Sequence, residues 1–461
     1  MKTYLYCLAV AVVSGAFAAC GGSVSNGSSP NNQDAADDDG GMTSPETGAA
    51  DAAGDADAGP PLDHGDASDV YPAFMPAFGQ IANQGGYTMK NPIIVPITWN
   101  DDPAQAQYDT FADTIGASAY WQATTSEYGV GPAVSGTANH VHIATASPAT
   151  ITDSELQSML ATNAGTAWPA QTQDTIYIFL LSPSTELTVQ GGANACTQEG
   201  GYHEQQRNGG VGAMAVVPSC YTAHTGFPSQ PAESMGAATH EIIESATDPQ
   251  PNSNTAWDGF TDPSFAFDYF QQFQSEVGDA CEFFPNSFFQ YQDTTTPFTA
   301  FVQRTWSNKS GLAGHDPCVP ELPGEVYFNV TPFGMQTVTA SVPSFGQGTQ
   351  KVQALGYVIP AGTTSKFQVG FYSEAPMGLP WDLSVAVGNP LLTAEGIDQL
   401  DSENTSSVTV SLDKTSGVNG EKAWVTVNVK TSGSKFAGEL ITLTSSVNGA
   451  SSYMPVWIAG Q

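Results

Sequence analysis

Ala238-Thr239-His240-Glu241-Ile242-Ile243-Glu244-Ser245-Ala246-Thr247-Asp248-Pro249 is the stretch on which the reading of this chain turns. On a helix, His240 and Glu244 lie four residues apart and project from one face. The segment from Pro231 to Ala246 has a proline where a helix start tolerates one and good helix formers after it, and Pro249 stops the run. Met235, Ile242 and Ile243 are placed to pack inward, leaving the polar residues to line a cleft. An imidazole and a carboxylate at this spacing can share one metal ion, with Glu241 beside them as a proton carrier. The pattern is that of the His-Glu-x-x-His zinc helix with Glu in place of the second His. On an ordinary amphipathic helix the same side chains would pair with neighbours or solvent.

A zinc site needs at least a third protein ligand. Glu276-Val277-Gly278-Asp279 is the best source, and the choice between Glu276 and Asp279 is open; the plainer alternative is a capped turn ahead of Cys281. His203 is a further candidate, as a ligand, as a group stabilising an oxyanion, or as a loop histidine. His140 and His142 alternate on a strand and are expected to be a surface pair. If the site is catalytic, one Zn2+ between His240, Glu244 and Glu276 lowers the pKa of a water, and Glu241 takes the proton and passes it to a leaving amine. Two carboxylate ligands make such a centre less positive, and a weaker Lewis acid, than two histidines would.

Around that helix the chain alternates. Asn91 to Trp99 is an apolar, β-branched run that predicts a buried strand, and Asp101-Asp102-Pro103 opens a helix on which Phe111, Ile115 and Trp121 face a core. A strand is expected around His140 to Ile143, a helix after the capping box Thr152-Asp-Ser-Glu155, and strands at Asp174–Leu181 and Val211–Val217. This predicts a mixed α/β layered domain over residues 72–321. The aromatic residues Trp257, Phe260, Phe265, Phe267, Tyr269, Phe270 and Phe273 read as packing, with a sugar platform as the alternative. From 322 to 461, short Val/Thr/Ser segments alternate with period two between Gly, Asn and Pro, predicting an all-β antiparallel sandwich.

Residues 1–20 have a basic start, an apolar run and small residues before Cys20, the form of a signal peptide. Ala18-Ala19-Cys20 resembles a bacterial lipobox, which implies a lipidated Cys20 holding the chain to a membrane in the cell envelope; plain secretion is the alternative. Residues 21–71 carry many Asp and no Lys or Arg before position 72, and are expected to be a disordered acidic linker. The net charge of −34 excludes nucleic acid as a partner. Once Cys7 and Cys20 are set aside, four cysteines remain, an even number that suits disulfides in an exported chain. Of three connectivities, the local pairs Cys196–Cys220 and Cys281–Cys318 are favoured.

Several segments together resemble one family. They are Pro96-Ile-Thr-Trp99, Tyr120 to Gly129, Leu187-Thr-Val-Gln-Gly191, Cys196 with Gly201-Tyr-His203, the His240 helix, and Glu276 to Cys281. In order and spacing they are similar to the EXORDIUM, or phosphate-induced protein 1, family of secreted proteins and its bacterial relatives, over roughly residues 90–320. The resemblance implies an extracellular protein and a microbial branch with a His-Glu-x-x-Glu signature. A downstream Glu as last ligand, with an Asp steadying the zinc-bound His, is similar to the gluzincin arrangement and implies zincin-like layers. The C-terminal segment resembles the immunoglobulin-like modules of bacterial secreted proteins, without their cysteine pair. The expected function is a zinc-dependent, peptidase-like hydrolase; the alternative is a non-catalytic protein that binds an extracellular polysaccharide or a partner.

Overall fold

The computed structural model describes residues 62–460 except 77, 190–191, 198–199, 207–209, 223–225, 266–274, 345–347, 389–406 and 431–437. The signal peptide, Cys20, the linker to residue 61, His224, Phe267, Tyr269, Phe270 and Phe273 lie outside the described residues. The chain is mixed and sheet-rich, 19% helix and 36% strand.

The first layer is a five-stranded sheet. Its strands are β1 (Ile93–Trp99), β2 (Val141–Ile143), β3 (Thr175–Leu180), β4 (Tyr202–Gln205) and β5 (Ala213–Val217), in the order β2-β1-β3-β5-β4. All pairings are parallel except β4, which runs antiparallel to β5 at the edge. Both faces of β1, β3 and β5 are buried, so these strands are almost wholly apolar, and successive side chains serve two separate cores. Val95, Ile97, Tyr177, Phe179, Met214 and Val216 meet Leu156 and Leu160 on one side. Ile94, Ile176, Ile178, Ala213, Ala215 and Val217 meet Ala238, Ile242, Ile243 and Ala246 on the other. The small Ala213 and Ala215 leave room for the helix that carries Ala238 to Ala246 to approach closely.

The helices follow the local signals with two adjustments. Helix α1 (Gln105–Ile115) begins after Asp102, whose carboxylate accepts from the Ala104 amide at 2.8 Å. The expected single helix through Trp121 is two: the chain breaks at Gly116, and Ser118 caps α2 (Ala119–Thr125). Gly116 lies too close to the Ala133 carbonyl for a Cβ to fit, so space requires glycine at this position. Helix α3 (Asp153–Asn163) carries the predicted capping box in full. Helix α4 (Gln230–Thr247) is capped by Ser229, has Pro231 in its first turn and ends at Asp248.

Helix α4 departs from the amphipathic expectation. From Gly236 to Asp248 every residue is buried, the polar ones included. One side lies on the sheet; the other is covered by α5 (Asp279–Glu282) and by the antiparallel hairpin β6 (Phe288–Gln292) and β7 (Thr299–Gln303). The polar residues of α4 face a closed interior.

Beyond residue 327 every described element is a strand. They are β8 (Phe328–Pro332), β9 (Gln336–Ser344), β10 (Gly348–Val358), β11 (Thr364–Ser373), β12 (Trp381–Val387), β13 (Val408–Leu412), β14 (Ser416–Gly417), β15 (Lys422–Val429), β16 (Glu439–Val447) and β17 (Ala450–Ala459). They form a sheet β8-β11-β15-β13 and a sheet β9-β10-β17-β16-β12-β14. Val330, Val369, Phe371, Val425 and Val427 from the first share a core with Leu383, Ile441, Leu443, Met454 and Val456 from the second. The alternating Val/Thr/Ser segments are strands as expected, and their pairings are antiparallel except that of β10 with β17, which is parallel. One end of the expected linker is placed differently: Ser68 N donates to Asn419 O (2.8 Å), Lys422 N to His64 O (2.6 Å), and Lys422 Nζ pairs with Asp63 (2.6 Å). These bonds satisfy backbone groups at the sheet margin, which composition alone does not register.

The disulfides are the two local pairs, Cys196–Cys220 and Cys281–Cys318, a chemistry that suits an oxidising compartment. No helix among the described residues is long and apolar enough to cross a membrane.

Candidate metal centre

The centre forms where α4, β4 and the turn into α5 converge. His240, Glu244 and Asp248 are successive i, i+4 positions on one face of α4. Period two on β4 turns Tyr202 and Glu204 toward α3, where they meet Asp153 and Gln157, and so turns His203 toward α4. The Cys196–Cys220 disulfide ties the segment before β4 to the end of β5. On the far side Asp279 Oδ2 accepts from Glu276 N (3.2 Å), closing the turn that carries both carboxylates. The Cys281–Cys318 disulfide and the Trp306 N to Val277 O bond (2.8 Å) hold that turn in place.

Two triads result, and they meet in Glu244. In one, His240 Nε2 lies 3.0 Å from Glu244 Oε2 and 3.5 Å from Asp279 Oδ1. In the other, His203 Nδ1 lies 3.4 Å from Glu244 Oε2 and 3.5 Å from Glu276 Oε2. In each triad one donor atom per residue falls within 4.8 Å of the others. Of the two carboxylates weighed as third ligand, Asp279 stands with His240 and Glu276 with His203. All these side chains are 11% exposed or less.

The outer nitrogen of each imidazole is anchored. Gln303 Nε2 donates to Gly278 O (2.8 Å), which turns Gln303 Oε1 to accept from His240 Nδ1 (2.9 Å). His203 Nε2 lies 3.1 Å from the Asp248 carbonyl oxygen, which can only accept. Both rings therefore present an inner nitrogen to carboxylate oxygens, the arrangement by which outer partners orient metal-binding histidines. Glu244 Oε1 accepts from Gly278 N (3.1 Å) and Asp279 N (3.2 Å), leaving Oε2 for the imidazoles. Glu241 Oε2 is buried with no hydrogen-bond partner, and so is Asp248 Oδ2. Orphaned buried oxygens, imidazoles oriented by their outer partners and a nitrogen/oxygen donor set fit a divalent cation such as zinc.

Electrostatics give the same account of the metal-free centre. Burial opposes charge on His240 and His203, but the carboxylates around them outweigh it: Glu244 and Glu241 first among those at His240, Glu244 at His203. Both imidazoles are therefore driven up. Glu244 is held low against its own burial by His240 and His203. Burial pushes Glu241 up to about 7, and burial together with Asp248 does the same to Asp258. Burial and the neighbouring carboxylates raise Glu276 well above its ordinary range.

These directions fix a pH dependence. Groups raised in the folded state contribute stability at low pH that is lost as pH rises through their folded values. The metal-free chain should accordingly lose Tm as pH rises from about 4.5 to about 7, where folded Glu241 and Asp258 hold protons that the unfolded chain has released. The raised imidazoles carry the loss on above about pH 6.5. Glu244, held low, acts in the opposite sense only in acid. Saturating zinc should reverse the trend, because metal binding needs the imidazoles unprotonated. Thermal melts with and without zinc across that range check both signs.

Two glycines leave the space. A Cβ on Gly201 would lie 2.6 Å from Glu241 Oε1; one on Gly278 would lie 2.7 Å from Glu244 Oε1 and 2.9 Å from His240 Nδ1. Gly278 has φ −76° and ψ −50°, which any residue adopts, so its glycine is required by space alone. Gly278→Ala should cost about 1–3 kcal/mol by overpacking and weaken zinc uptake, measured by urea unfolding and metal titration; unchanged uptake would contradict the placement.

Sequence reasoning missed Gln303, Asp248 and Asp258 as parts of the centre. Only Asp248, one i, i+4 step beyond Glu244, carried a usable signal. Phe260 and Phe265 are buried in the core, and Trp257 packs against it while remaining partly exposed. His140, just before β2, and His142 within it face Asp109 and Asp113 as a stacked pair.

No family model matches the chain, and no curated protein matches it in sequence. Among solved structures it is similar to a chimeric titin Z1Z2-Z1Z2 tandem, at 9% identity and TM-score 0.16, over 39% of this chain and 77% of that one. It is also similar to two endo-fucoidan hydrolases of glycoside hydrolase family 107, at 11% and 12% identity with TM-score 0.09. Those matches cover 30% and 31% of this chain and 31% and 28% of theirs. At these TM-scores the likeness defines neither fold nor function.

Proposed function

We propose that this chain is an exported, zinc-dependent hydrolase of peptidase-like chemistry, with a zincin-like layered domain followed by an immunoglobulin-like sandwich. The observation that carries it is the triad His240, Glu244 and Asp279 with Glu241 beside it, its Oε2 buried and unpaired. A divalent ion held there supplies Lewis acidity and makes water a nucleophile near neutral pH. Glu241, raised to about 7 by burial, is suited to take a proton at neutral pH and return it to a leaving amine. Gln303 and the amides of Gly278 and Asp279 hold His240 and Glu244 in place. Membership of the EXORDIUM family, a lipid anchor at Cys20 and an extracellular peptide or polysaccharide as partner belong to the same proposal.

The test is cleavage of a peptide panel by the zinc-loaded chain, lost on chelation and restored by zinc. Cleavage that persists without metal would overturn the proposal. The burial of the centre favours one other reading, a non-catalytic surface protein stabilised by its metal. That reading predicts a zinc-dependent rise in Tm with no turnover of any substrate.

A further inference from the structure

We propose that the centre holds two divalent cations bridged by Glu244, one on His240, Glu244 and Asp279 and the second on His203, Glu244 and Glu276. This rests on the reading above that the site binds metal at all.

The geometry around His203 is the first argument. Its Nε2 bears the hydrogen that the Asp248 carbonyl accepts, so in the neutral ring Nδ1 is a lone pair. That lone pair faces Glu244 Oε2 at 3.4 Å, Glu276 Oε2 at 3.5 Å and Glu241 Oε2 at 3.9 Å. These separations are longer than a good hydrogen bond. The first two match the separation of about 3.4 Å between two donors each about 2.1 Å from one tetrahedral ion. The His240 Nε2 to Asp279 Oδ1 distance, 3.5 Å, has the same character. A single proton can satisfy one of the oxygens around His203; a cation satisfies them together.

Charge is the second argument. Glu241, Glu244, Asp248, Asp258, Glu276 and Asp279 bring six carboxylates to two imidazoles. The described Lys and Arg ion pairs are Arg304–Asp316, Lys414–Glu421 and Lys422–Asp63, all elsewhere. Ionised together, these carboxylates exceed the charge of one divalent ion, and the second triad is the place where another fits. Glu244 can serve both because backbone amides take its Oε1 and leave Oε2 facing both rings.

Manganese is the probe. Titration of the metal-free full chain with Mn2+ should reach two ions per chain. Ions about 3.5–4 Å apart, as two-metal sites hold them, are exchange-coupled and give a multiline electron paramagnetic resonance signal. His203→Gln should bind one ion and show the uncoupled six-line signal. One ion per wild-type chain with a six-line signal would overturn the second site and leave the single-metal reading standing. No bound manganese and no bound zinc would overturn both. If His203→Gln fails to fold, the wild-type stoichiometry and signal decide.

Discussion

Glu244→Ala is expected to abolish metal binding and to destabilise the metal-free chain by about 3–5 kcal/mol, the effect of removing one partner from a buried charged pair. Glu244 is the residue common to both triads, and it also accepts from the amides of Gly278 and Asp279. Its loss leaves two buried imidazoles without their nearest counter-charge and two amides without an acceptor, so the turn into α5 loses its tie to α4. Loss of an outer partner of a metal ligand weakens affinity about 10–100-fold; loss of the shared ligand should exceed that. Zinc content and urea unfolding of the metal-free form measure the two effects. A variant that retains zinc at wild-type affinity would show that the metal is held elsewhere.

Glu241→Gln should behave in the opposite way. Glu241 belongs to neither triad, and its Oε2 has no hydrogen-bond partner. The amide is isosteric and uncharged, so metal should remain bound and stability should hold or rise. Hydrolysis should fall by about 10²–10⁴, the usual contribution of a general base. Zinc content, melting temperature and turnover on one substrate separate these outcomes. Retained turnover would remove Glu241 from the chemistry.

The fold was legible where local chemistry is strong. Pro231 and Pro249 mark the ends of α4, Thr152 and Glu155 start α3, and the apolar runs at 93–99 and 175–180 are strands because both their faces are buried. The burial of α4 was not legible. Its Ser, Thr, Glu and His side resembles a solvated face, and α5 and the hairpin ending at Gln303, both distant along the chain, close over it. His240, Glu244 and the 276–279 segment were readable as ligands from residue type. Their grouping was not, because the turn places Asp279 beside His240 and Glu276 beside His203, one on each side of Glu244. The placement of His203 depends on the register of β4 against β5 (His203 opposite Ala215), and a one-residue slip would have turned it to α3.

Anomalous scattering at the zinc absorption edge, from crystals of the zinc-loaded chain, tests the central claim most directly. The account predicts a peak about 2.0–2.2 Å from His240 Nε2 and a Glu244 oxygen, with Asp279 completing the protein ligands. No peak after zinc loading, or a peak only at a surface cluster such as Asp109, His140 and His142, would contradict it.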